Sequence, residues 1–204
     1  MINTKLDLKK VNNELFNVKE GEYKKVICDK AYYIAINGEG DPNNNADYTN
    51  KVSSLYKVAY KLKFQYKKEG LDFVVMPLSG LWWAEDNNSF VQGGKELWKW
   101  TMMIQLPNYI KEDHINNIKG SLNEDELYSS IKDIEFIEYI EGEAYETLYI
   151  GSYKNEGDTV KKLHEIIKEN GYKLRGKHHE IYLNDPRKTD ENKLKTIIRQ
   201  GIEA

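Results

Sequence analysis

A carboxylate flanked at two-residue spacing by an imidazole and a phenol, His178-x-Glu180-x-Tyr182, is the pattern in this chain best suited to chemistry. In a strand over Lys177–Leu183, alternation puts the three side chains on one face. Such a face makes a poor core and suits the wall of a cleft. Glu180 set among aromatic rings would lose water and pull harder on a cation or on a water proton. The plainer alternative is an edge carboxylate paired with Lys177 or Arg187. His178 is placed to orient Glu180, with simple exposure as the alternative. His178 and His179 point to opposite faces, and His114 and His164 lie far off in sequence. No metal-ligand spacing results, and no metal site is expected.

Aromatic residues are abundant, with fifteen tyrosines and four tryptophans. Tyr145, Thr147 and Tyr149 alternate before Gly151, so Tyr145 and Tyr149 are candidate hydrogen-bond donors to a reacting ligand oxygen, although an ordinary aromatic sheet face explains them nearly as well. Trp98 and Trp100 share one strand face, while Trp82 and Trp83 begin a long loop. Trp83, Trp98, Trp100 and Phe73 are candidate stacking surfaces for a flat ligand, with core packing as the alternative. Gly38-Glu39-Gly40-Asp41 lacks the Gly-Lys-Ser/Thr ending of a phosphate loop, and no Gly-x-Ser-x-Gly elbow is present. No cofactor is expected.

Composition narrows the classes further. Thirty basic against thirty-three acidic side chains give a net charge of -3, without a basic patch for a nucleic-acid backbone. No window approaches the roughly 18 apolar residues of a membrane span. Cys28 is the only cysteine, which excludes an internal disulfide and fits a small buried side chain better than a catalytic thiol. A cytoplasmic protein without nucleic-acid or membrane partners is expected.

The elements that must position these residues are written twice. A strand is expected at Ala31–Asn37, then a helix over Tyr48–Lys68 with Val52, Leu55, Tyr56, Ala59, Tyr60, Leu62 and Phe64 at three-to-four spacing. Gly70 stops it. Asp72–Leu78 reads as a strand, Ser79–Gly94 as a loop and Trp98–Leu106 as a strand. The order recurs: strand Glu143–Ile150, a helix capped by Asp158 and running through Asn170, strand Lys177–Leu183, strand Leu194–Gln200. Gly38 matches Gly151 and Leu78 matches Leu183. Lys111–Ile131 is a polar helical connector that Gly120 would break. These readings predict one α+β domain over residues 1–204, with two β-α-β-β halves at about 31–106 and 143–200. The apolar set Val74, Met76, Leu78, Ile181 and Leu183 is expected beneath the helices, and Phe73, Val75, His178, Glu180 and Tyr182 on the other face.

Several segments together resemble a known family. GKHHEIYLNDPRKT at 176–189, with ENGY at 169–172, is similar to the last third of GyrI-like small-molecule-binding proteins. GEGDPN at 38–43, VVMPLSGLWWAED at 74–86 and KWTMMIQLP at 99–107 resemble its stand-alone branch. The resemblance implies a joined antiparallel sheet with helices on one face and a ligand groove on the other. It implies that a carboxylate at the position of Glu180 faces small aromatic or cationic ligands. Some stand-alone members are similar to hydrolases that open the cyclopropane ring of DNA-alkylating natural products. No counterpart of the DNA-binding domain of the family's regulators is expected in this sequence, in which about 30 residues precede the first expected strand. Three readings follow: a sequestering binder, a metal-independent ring-opening hydrolase and, more weakly, a protein modulator of a topoisomerase.

Overall fold

The computed structural model describes residues 5–84 and 95–204, which form two compact units. The first unit contains Met1–Val11, Ala31–Met76 and Trp83–Tyr139; the second contains Asn12–Lys30, Pro77–Trp82 and Ile140–Ala204. Strand pairings within each unit are antiparallel, and the class is α+β as expected.

In the first unit β2 (Ala31–Glu39) lies between β4 (Lys99–Leu106) and β5 (Glu135–Tyr139). One helical turn, α1 (Leu8–Val11), precedes the long helix α2 (Ala46–Lys68). Asn45 caps α2 by accepting from the Asp47 and Tyr48 amides, and its buried stripe is Leu55, Val58, Ala59 and Leu62. Gly70, at a φ of +83°, ends it in a conformation that favours glycine. The connector divides as expected into α3 (Glu112–Gly120) and α4 (Tyr128–Ile131).

The strand expected at Asp72–Leu78 is displaced. Only Phe73 bridges, to Leu6, and the strand proper is β3 (Leu78–Trp83), inside the expected loop. Lys63 holds the Asp72 carboxylate and the Phe73 carbonyl from α2, and Pro77 has no amide to donate to a ladder. The ladder therefore starts after the proline. The rest of that expected loop, residues 85–94, lies outside the described residues.

The second unit orders its strands β1 (Lys24–Cys28), β6 (Gly142–Ile150), β8 (Lys195–Glu203), β7 (Lys173–Tyr182), then β3. One helix, α5 (Gly157–Glu169), lies between β6 and β7 in the chain. Its N-cap is Glu156; Asp158 sits in the first turn without a capping bond and there opposes the helix dipole. The expected chain order therefore recurs as β2-α2-β3-β4 and β6-α5-β7-β8. Strands β1 and β5 were not expected, so the first strand begins at Lys24 rather than Ala31.

Faces in the second unit differ from expectation. Leu163 and Ile167 of α5 pack with Tyr145 and Ile198, and Ile198 pairs with Glu180. Thus α5 lies on the face that carries Glu180. The Ile181 face is covered by Val18 and Phe16 of the N-terminal segment. Residues 178–181 of β7 are buried on both sides, so apolar alternation could not tell the two coverings apart.

Candidate functional site

The site is built on β7 and its two neighbours. Across β8, His178 pairs with Gln200, Glu180 with Ile198 and Tyr182 with Thr196. Across β3, Gly80 faces Glu180 and Trp82 faces His178. Directly paired residues share a face, so His178, Glu180, Tyr182, Gly80 and Trp82 stand together. Gly80 has no side chain, and Trp82 reaches Tyr182 on this face.

The polar atoms form one chain. Trp82 Nε1 donates to the Tyr182 hydroxyl at 2.9 Å, and that hydroxyl donates to Glu180 Oε2 at 2.8 Å. His178 Nε2 lies 3.0 Å from Glu180 Oε1. Glu180 is only 8% exposed and Trp82 5%, so these bonds act at low local dielectric. A carboxylate offers about four lone-pair directions, so each oxygen keeps acceptor capacity beyond the bonds named here. Tyr153 stands edge-on to Tyr182 at 5.6 Å.

The other candidate residues are distributed as follows. Tyr145 packs beneath α5, tilted against Tyr172. Tyr149 donates its hydroxyl to the Ser152 carbonyl at 2.8 Å, and burial pushes its phenol pKa up. In the first unit Trp100 is fully buried, edge-on to Tyr48 at 5.0 Å, with Gly38 opposite it in the ladder. Trp98 and Trp83 are half-buried, and Phe73 is buried beside Lys63. Trp82, Gly80, Tyr153, Gln200 and His164 were not among the expected site residues. Trp82 was hidden because the sequence assigns it to a loop; once β3 is in register, alternation selects Trp82 and not Trp83 for the Glu180 face.

Burial, then the neighbouring His178, push the His164 imidazole of α5 down to about 4. On the opposite face Arg199 donates through two nitrogens to Glu146 Oε2, and His179 pairs with Glu141. Burial pushes the nearby Cys28 thiol up to about 11, against a reactive thiolate. In the first unit a separate groove of about 670 Å³ is lined by Asn37, Asn116, Lys119, Lys132 and Phe136, among others. Among the described residues no group of three or more His, Cys, Asp or Glu side chains could hold a metal ion, and no helix is long and apolar enough to cross a membrane.

Comparison with known proteins gives a concordant set. The GyrI-like small molecule binding domain model matches residues 22–200. An uncharacterized conserved protein from Listeria innocua is 29% identical at a TM-score of 0.89, covering 98% of this chain and 100% of its own. Two structures described as hydrolases from Listeria innocua are each 27% identical, at TM-scores of 0.84 and 0.87, with the same coverage. No curated protein matches the chain.

Proposed function

This chain belongs to the family of GyrI-like small-molecule-binding domains, and we propose on that premise that it binds a flat, aromatic or cationic organic molecule against Glu180. The observation that carries the reading is the buried Trp82–Tyr182–Glu180–His178 chain on one sheet face. The carboxylate supplies charge for a cation, and the rings of Trp82 and Tyr182 supply flat apolar surface. A reducing, cytoplasmic setting suits a chain whose single cysteine is buried.

The second reading adds turnover, and the two full-length relatives described as hydrolases favour it. The substrate class is an electrophile with a cyclopropane fused to a conjugated dienone. Water attacks a ring carbon and a carbon–carbon bond of the cyclopropane breaks. The released electron pair passes into the dienone, whose carbonyl oxygen becomes a phenolate and then takes a proton. Glu180 accepts the proton lost by the water, and a phenol supports the oxyanion. Tyr182 already gives its one proton to Glu180 Oε2 and Tyr149 gives its own to the Ser152 carbonyl, which makes Tyr145 the first choice for that phenol.

Titration with a cationic aromatic dye tests the binding reading. Glu180→Gln keeps the shape, removes the charge and should weaken binding by about 1–3 kcal/mol. Equal affinity of both proteins for the dye would remove Glu180 from the site. Following ring opening of a cyclopropane-bearing alkylator by mass then separates turnover from binding alone.

A further inference from the structure

Strand β2 runs on past the end of its partner β5, and the first unit opens into a groove at that point. The β2–β5 ladder stops at the pair Ala35–Glu135, while the β2–β4 ladder continues to Glu39. The Gly40 amide donates to the Trp98 carbonyl at 2.8 Å. Residues in phase with Gly40, among them Gly38 and Ile36, therefore exchange their hydrogen bonds with β4. Asn37 lies between them and turns its N–H and C=O the other way, as Ala35 does towards Glu135. The chain ahead of β5 does not meet it, because Asp133 donates to the Ser130 carbonyl at 3.1 Å and Ile134 to the Ile131 carbonyl at 3.2 Å, back into α4. Among the described residues the Asn37 main chain has no ladder partner on this edge. Its side chain is drawn towards β4, where Oδ1 accepts from Thr101 Oγ1 at 2.7 Å. The groove of about 670 Å³ lies against this edge, and its lining includes Asn37, Lys132 and, on one face of α3, Glu112, Asn116 and Lys119. Lys119 Nζ donates to the Ile134 carbonyl at 2.6 Å and so holds α3 to the chain that leads into β5.

We propose that this groove is a second binding site, separate from Glu180, and takes a short extended peptide by adding it to the sheet beside Asn37. One peptide residue accepts from the Asn37 N–H at its own carbonyl and donates its N–H to the Asn37 carbonyl. The same edge already takes one amide donor, since the Glu39 carbonyl accepts from Asn45 Nδ2 at 3.1 Å. Charge does not choose the ligand, because the lining carries both ammonium and carboxylate groups. Recognition therefore falls to the main chain, and the side chains of the peptide are secondary.

Nuclear magnetic resonance of the full chain, read at backbone amides, makes the test. The probe is the blocked tripeptide acetyl-Thr-Thr-Thr-amide, whose β-branched residues favour extension. Its counter-probe carries a methyl group on each threonine nitrogen and cannot donate from those positions. Without peptide, the Asn37 amide should exchange with water faster than the Ile36 amide, which belongs to the β4 ladder. The tripeptide should shift the Asn37 signal and slow its exchange, and should bind about five- to tenfold more tightly than the methylated probe, the scale of one hydrogen bond. Asn37→Pro removes the groove-facing N–H without touching a bond to β4, and should abolish tripeptide binding. The inference falls if the free Asn37 amide exchanges as slowly as Ile36, if the two probes bind alike, or if a folded Asn37→Pro chain keeps its affinity. The comparison of probes needs no variant, so it decides even where the proline chain fails to fold. Shifts at Asn37 that grow with protein concentration alone would assign the edge to a second copy and overturn the peptide.

Discussion

Trp82 Nε1 lies 2.9 Å from the hydroxyl of Tyr182, although a hundred residues separate them in the chain. Gly80 stands opposite Glu180 in the ladder and puts no side chain on the face the two rings share. Tyr182 passes the bond on to Glu180, so the indole, phenol and carboxylate hold one another in place. Low dielectric strengthens each link and raises the cost of breaking it.

Tyr182→Phe should therefore act on stability before it acts on charge. It removes the acceptor of Trp82 Nε1 and a donor to Glu180 Oε2 while leaving the ring's packing with Tyr153. A loss of about 1–3 kcal/mol is expected in urea unfolding, the scale for buried polar groups deprived of partners. Cationic dye affinity should fall less than in Glu180→Gln, because the carboxylate remains. Unchanged unfolding would mean that the bond contributes nothing to the fold.

Gly38 and Trp100 are opposed across β2 and β4, and the tryptophan is fully buried. A Cβ at residue 38 would fall on the six-membered ring of Trp100. An indole in a closed core cannot swing aside, so Gly38→Ala should cost about 1–3 kcal/mol or more as overpacking. At this chain length each kcal/mol lowers Tm by about 2–4 °C. A thermal scan in which the alanine variant matches wild type would show that the ring can move.

Much of this was legible in the letters, for identifiable reasons. Leu55, Ala59 and Leu62 recur at helical spacing and line the buried stripe of α2. His178-x-Glu180-x-Tyr182 needed only strand alternation to share a face. The failures have causes too. Lys24, Lys25, Glu135 and Glu138 put charge into β1 and β5, outermost strands whose exposed positions hide the apolar signal. Val74-Val75-Met76 reads as a strand, but the Lys63 grip on Phe73 and the imino nitrogen of Pro77 delay the ladder to Leu78. That delay decides which tryptophan joins Glu180. His164 sits beside Leu163 in α5, and nothing in the helical pattern marks its imidazole as half-buried.

His164 also makes stability depend on pH in a predictable direction. Its imidazole falls from 6.5 to about 4 on folding, chiefly through burial. Between those values the unfolded chain takes up a proton that the native chain refuses. Stability is then fully present above 6.5 and is lost as pH falls towards about 4, with no further change from this group below that. Asp185, held at about 2 by Arg187, loses its own contribution mainly below the ordinary carboxylate value of 3.8, outside most of this window. Glu146, raised by burial, works in the opposite sense to His164. Both are present in wild type and in His164→Gln alike, so the difference between the two proteins isolates the imidazole. Urea midpoints measured between pH 6.5 and 4 should fall more steeply in wild type than in His164→Gln. Parallel curves across that range would mean that His164 takes its proton as readily in the native chain as in the unfolded one, and the buried, neutral imidazole would have to be abandoned.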